Sequence, residues 1–208
     1  MAIPTQQIQR NRFDRAVEVF KKHGGILRTS EAIASGIHPD TLYSMRNSGI
    51  LEKISRGVYR LESELPLDNP DLVTVAKRIP HGVICLTSAL SFFDITTQIP
   101  HEVHLALPRG AEEPRLDYPP IRTFRFSSRS FSEGIEKHQI DNVTILIYSP
   151  EKTLADCFKF RNKIGIDIAI EALRLYQERR KMKIDDIMYF ASICRVANII
   201  RPYLEAII

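Results

Sequence analysis

Apolar residues recur at helical spacing near the start of the chain. Phe13, Ala16, Val17 and Phe20 predict a helix from about Arg10 to Lys22, stopped by Gly24-Gly25. A denser pattern follows between Ile26 and Leu61. A short helix opens at Thr29-Ser30-Glu31, with Thr29 or Ser30 as its cap, and Gly36 turns the chain into a second helix with Pro39 near its start. Leu42 and Met45, three apart, share an inward face with Ile33, Ile37, Ile50 and Leu51. That leaves Thr41, Tyr43, Ser44, Arg46 and Asn47 on the outer face. Gly49 ends the second helix, and Lys53 to Arg60 predicts a hairpin turning at Arg56-Gly57. Helix, turn, helix and basic hairpin, in that order, predict a winged helix-turn-helix.

The passage Glu62 to Pro70 is acidic and proline-marked, as suits a joint between domains. With the boundary near Pro66, residues 1–65 form a DNA-binding domain and 66–208 a second domain. The second domain is predicted to open with a helix that Asn69 caps and Pro70 starts, with Leu72, Val75, Ala76 and Ile79 on one face. Strands are predicted at Val83 to Leu86, Val103 to Leu107, Ile121 to Phe126 and Val143 to Tyr148. A short helix runs from Thr87 or Ser88 to Phe93, a long irregular loop from Pro108 to Pro120, and Ile140 to Val143 marks a hairpin corner. From Ser149 the period changes from two to about 3.6. Ser149 caps and Pro150 starts a helix carrying Leu154, Cys157, Phe158 and Arg161, and a second carries Ile166, Ala169, Ile170, Leu173 and Tyr176. A third starts at Asp185, and the tail from Arg201 forms a last turn. Strands first and helices afterwards predict an α+β domain with a mainly antiparallel sheet and C-terminal helices.

Charge sharpens this picture. Residues 1–60 hold ten Lys or Arg against five Asp or Glu, whereas residues 61–208 hold nineteen against twenty, so the net +4 hides a basic head on a nearly neutral body. That asymmetry is expected when one module binds nucleic acid. Thr41, Tyr43, Ser44 and Arg46 are the expected base-probing residues, and Arg28, Lys53 and Arg56 the phosphate anchors. Thr29 and Ser30, at the start of the first helix, complete the contact set. A winged helix that docks only proteins is the alternative use of the same fold.

With 44% apolar and 26% charged residues, the chain has the composition of a globular protein rather than a disordered one. Met1 to Gln9 lack a basic start followed by an apolar run, and no stretch reaches the roughly eighteen apolar residues of a membrane span. A cytoplasmic protein without membrane contact is the expectation. Cys85, Cys157 and Cys194, scattered among apolar residues, fit reduced core thiols.

Enzyme motifs are missing: there is no Gly-rich phosphate loop, no His-Glu-x-x-His, no Gly-x-Ser-x-Gly and no paired-cysteine motif. No lysine follows an acidic residue by two positions, which argues against a metal nuclease. His101 and His104, three apart on a predicted strand, point to opposite faces and lack further ligands. Glu151, Lys152 and Asp156 share a helix, where a first-turn glutamate ordinarily complements the helix dipole. No enzyme activity, cofactor or metal is expected. Arg109, Arg115, Arg122, Arg125 and Arg129 fit a second phosphate contact, an acidic partner or a solvated surface alike.

Several segments in order carry a resemblance. They are Arg56-Gly57-Val58-Tyr59-Arg60-Leu61, Leu86-Thr87-Ser88-Ala89-Leu90, Thr97-Gln98-Ile99-Pro100-His101-Glu102-Val103 and Leu105-Ala106-Leu107-Pro108-Arg109-Gly110. The run from Tyr148 to Gly165 and on to Leu173 completes them. Together they resemble the AbiEi-like antitoxins of abortive-infection, type IV toxin–antitoxin systems. The resemblance implies a winged helix that represses its own operon at inverted repeats in promoter DNA, an arrangement that would accommodate a dimer on the duplex. It also implies a second domain that counters a nucleotidyltransferase-like toxin, with no stable complex required. The alternative is a protein-interaction module that neutralises a toxin by direct binding, with little role for DNA.

Overall fold

A computed structural model describes residues 5–63, 67–179 and 182–207, and the side chains from residue 10 onward within them. The expected domain boundary at 65/66 lies outside the described residues. Contacts divide the chain into two compact units, residues 1–80 with 139–144, and residues 81–138 with 145–208.

The first unit runs α1 (Thr5–Lys22), β1 (Ile26–Arg28), α2 (Thr29–Ala34), α3 (Pro39–Asn47), β2 (Leu51–Ser55), β3 (Val58–Leu61) and α4 (Pro70–Arg78). Its three strands form an antiparallel sheet in the order β1-β3-β2, with Leu27 opposite Tyr59 and Glu52 opposite Arg60. Helices at the front and a β-hairpin behind them make the expected winged helix. The core joins Ala16 and Phe20 of α1 to Leu27, Ala32, Ile37, Leu42, Met45, Leu51, Tyr59 and Leu61. Helical and strand periods thus converge on one apolar centre.

Three local expectations change. α1 begins at Thr5 rather than near Arg10. The cap of α2 is Arg28, not Thr29 or Ser30: its backbone N–H donates to Glu31 Oε2 at 2.8 Å, the return arm of a capping box. Ile33, expected inside, is 46% exposed. α4, which the sequence pattern places at the start of the second domain, packs on β1 and β3. It is capped by Asn69 and started by Pro70 as expected, and it buries Leu72, Val73 and Val75.

The second unit contains β4 (Val83–Ile84), α5 (Leu86–Phe92), β5 (Val103–Pro108), β6 (Ile121–Phe126) and α6 (Ser128–Ser132). β7 (Ile135–Ile140) and β8 (Val143–Tyr148) follow, except for residues 139–144 at their turn, which count with the first unit, then α7 (Pro150–Lys159), α8 (Arg161–Ile164), α9 (Ile166–Arg179), α10 (Ile184–Cys194) and α11 (Ala197–Ile207). The sheet order is β6-β5-β4-β8-β7. It is mixed: β4 and β5 are antiparallel, while β5–β6 and β4–β8 are parallel. The first strand stops at Ile84 because Cys85 already caps α5. The tail expected to make one turn is the full helix α11, which passes through Pro202 and buries Ile200 and Leu204. α7 is the central helix, buried from Pro150 to Phe158 and packed by α5, α9 and α10. Mixed α+β architecture follows, with helices gathered after the last strand. No described helix is long and apolar enough to cross a membrane.

Candidate nucleic-acid interface

α3 starts where the side chain of His38 accepts from the N–H of Asp40 at 3.3 Å and Pro39 takes the first helical position, where no backbone donor is needed. Leu42 and Met45 face the core, so the helix presents Tyr43, Arg46 and Asn47 to solvent, with Ser44 half-buried. Nε and Nη2 of Arg46 donate to Asn47 Oδ1 at 3.2 and 2.9 Å, and its guanidinium lies 5.9 Å from the Tyr43 ring centroid. This is a cationic, hydrogen-bonding face on one helix. Thr41 is a correction: it is 7% exposed and, instead of standing on the outer face, lines a cleft with Ala16 and Val17 of α1.

α3 packs on β2, which brings the hairpin beside it. Lys53 and Arg56 are exposed there, whereas Arg60 is bound to Glu52 at 2.6 Å. The wing turn is tied down from two sides. Thr29 N and Oγ1 donate to the carbonyl of Gly57 at 2.8 and 3.3 Å, and Arg78 Nη1 donates to the carbonyl of Arg56 at 2.6 Å. Thr29 is therefore a strut between α2 and the wing, while Ser30 is open to solvent.

Arg28 is held by Glu31 at 3.3 Å, and Lys77 of α4 stands 3.6 Å from the same carboxylate. Burial raises the Glu31 pKa. The backbone N–H of Arg28 and the charges of Lys77 and Arg28 outweigh that and hold it below its ordinary value. Arg28 thus meets an internal anion already. Asn47, Lys77 and Arg78 were not among the expected contact residues. Lys77 and Arg78 sit in the last turn of a helix that the sequence pattern assigns elsewhere, so only tertiary packing reveals them.

The second unit holds a different polar cluster. Lys152 and Asp156, one turn apart on α7, are fully buried and paired at 2.5 Å. Lys152 Nζ also lies 4.2 Å from the Tyr148 ring centroid, and Cys194 Sγ donates to Asp156 Oδ1 at 3.1 Å. Burial pushes the Asp156 carboxyl up, against the opposing charge of Lys152, and pushes the Cys194 thiol up to about 12. Glu151 accepts from Tyr176 at 2.6 Å and meets Lys183 at 3.3 Å. The Lys152–Asp156 pair lies within α7, sealed from solvent, and is linked to α10 through Cys194.

His104 is buried in β5 against Phe124, and His101 is exposed. Among the described residues no three His, Cys, Asp or Glu gather as metal ligands. Of the arginines around β6, Arg122 pairs with Glu102 at 3.5 Å and Arg125 with Glu113 at 2.6 Å.

Residues 14–61 match the family model described as "Transcriptional regulator, AbiEi antitoxin". The match runs from the middle of α1 to the end of the wing and agrees with the resemblance drawn from the sequence. The later segments of that resemblance lie outside it. No curated protein matches the chain. The fold is similar to that in the crystal structure of the RV2827C protein from Mycobacterium tuberculosis. The TM-score is 0.55 at 12% identity, over 94% of this chain and 81% of that one. At that identity the likeness establishes the fold alone.

Proposed function

We propose that this chain is a DNA-binding antitoxin that represses its own operon. The observation that carries this reading is the exposed face of α3, where Tyr43, Arg46 and Asn47 stand beside Lys53 and Arg56 of the wing, exposed cations that pair with no carboxylate among the described residues. A helix of this kind fits the major groove, with the wing along the adjoining phosphates. Arg46, Tyr43 and Ser44 probe base edges; Lys53 and Arg56 anchor the backbone, with Arg28 at the flank. Ser30 meets a phosphate, and Thr29 serves by holding the wing. Thr41 is not part of the contact set, because its side chain is buried.

The family matched by residues 14–61 supports the regulatory role. The finer reading is a type IV system in antiviral defence, acting in the cytoplasm without enzyme activity of its own. The winged helix binds inverted repeats, as a dimer on the duplex, and residues beyond the winged helix oppose a nucleotidyltransferase-like toxin without a stable complex. The test is a gel shift with the purified chain and a duplex of its own upstream region. Wild type is expected to shift it, and replacing Arg46 and Arg56 together to abolish the shift. An unchanged shift in that double variant overturns the assignment of the interface. No shift at all, together with a stable complex with the neighbouring gene product, replaces it with direct neutralisation.

A further inference from the structure

α4 lies beyond the residues matched by the family model, yet it belongs to the same compact unit as the winged helix and packs on β1 and β3. Its last residue, Arg78, reaches the wing turn and donates from Nη1 to the carbonyl of Arg56 at 2.6 Å. The next carbonyl, that of Gly57, is occupied by Thr29. Gly57 has a φ of +73°, and a Cβ there would stand 3.5 Å from Thr29 Oγ1 and 3.8 Å from Arg78 Nη1. The turn is thus gripped between the start of α2 and the end of α4.

The neighbouring cations differ from Arg78 in one respect. Arg28 and Lys77 share Glu31, and Arg60 is paired with Glu52. Among the described residues no carboxylate pairs with Arg78 or with Arg56. A guanidinium carries five donors, and one contact with a carbonyl leaves the positive charge intact and most donors free. Arg78 thus holds a guanidinium with no carboxylate partner among the described residues against the backbone of the wing turn, on which Arg56 is exposed, and a guanidinium with open donors is the group that meets a phosphodiester.

We infer that Arg78 is both the positioning residue of the wing and a contact to the DNA backbone, so that the nucleic-acid-binding module extends through α4. This rests on the DNA-binding reading above. The test measures affinity against salt concentration for the full chain on its own upstream duplex and on an unrelated duplex of equal length. Arg78→Ala is expected to weaken both by the same factor and to flatten the slope of log affinity against log salt by about one unit. Arg78→Lys, which keeps the charge, is expected to restore the slope. If Arg78→Ala does not fold, Arg78→Gln, which removes the charge and retains a donor, carries the same slope measurement. An unchanged slope in the folded neutral variant overturns the inference and leaves Arg78 a strut only. A wild-type chain that binds neither duplex at low salt would instead remove the DNA-binding reading itself.

Discussion

Arg46 turns one edge of its guanidinium, Nε and Nη2, onto Oδ1 of its neighbour Asn47, at 3.2 and 2.9 Å. The edge that contains Nη1 remains open, and that edge makes the paired contact by which arginine reads guanine in the major groove. Fixing the side chain beforehand lowers the entropy lost on binding. Arg46→Ala is expected to cost about 1–3 kcal/mol on the operator and to relax discrimination at one base pair. Asn47→Ala keeps the charge, so it is expected to preserve affinity for unrelated DNA while lowering discrimination at the same base pair. Competition between the operator and its single-base-pair variants measures both, and equal discrimination before and after Asn47→Ala would refute the role of Asn47.

Gly24, between α1 and β1, has a φ of +74°, and a Cβ there would fall 2.5 Å from Cβ of Asn142 and 3.3 Å from its carbonyl oxygen. Neither atom is the end of a flexible side chain. Gly36 has a φ of +86° with open space around it. Alanine at either position meets the left-handed backbone penalty of roughly 1 kcal/mol. Only at position 24 does a steric clash add to it. Gly24→Ala is therefore expected to lower the melting temperature clearly more than Gly36→Ala. Equal losses would show that residues 141–142 yield without cost.

The winged helix was legible because its signals are short-range: Pro39 opening α3, glycines closing the helices, and the inward pair Leu42 and Met45. Thr41 was misplaced because the helix pattern alone gives each residue an angle, and the position of α1 against that angle is a tertiary fact. β1 has three residues, too few for a period to show, whereas β4 was legible and only ends two residues before the expected Leu86. α11 runs through Pro202 with Ile200 and Leu204 buried to either side of it, a packing gain that no local pattern shows. The allegiance of α4 escaped for a related reason. Its cap and its apolar face were legible in the chain, but an apolar face does not say which neighbour it covers.

The buried pair of α7 offers a stability test. Lys152 and Asp156 are both sealed from solvent, so removing one partner strands a charge. Lys152→Met is expected to destabilise the protein by about 3–5 kcal/mol, and adding Asp156→Leu to recover most of that loss, because apolar groups of similar size can replace a buried ion pair. Denaturant titration of the two single variants and the double variant reads the coupling directly. Additive losses would mean that the two residues act independently, against the 2.5 Å contact.

Glu31 ties the start of α2 to α4: it accepts from the backbone N–H of Arg28 and lies within reach of the charges of Arg28 and Lys77. Burial acts to raise its pKa, but those partners prevail and the folded value lies below the ordinary one. A carboxylate depressed on folding contributes stability that is fully present above the unfolded pKa, near 4 for glutamate, and is lost as pH falls through the lower folded value. Glu31→Gln keeps a side chain that can close the capping box and removes only the charge. The melting temperature of wild type is therefore expected to exceed that of Glu31→Gln at pH 7, with the gap closing as the pH falls through the acidic range. The salt bridges are partly exposed, so raising the ionic strength at pH 7 is expected to narrow the same gap. A gap that stays constant from neutral to acid pH would assign the contribution of Glu31 to the cap geometry and leave none for its charge.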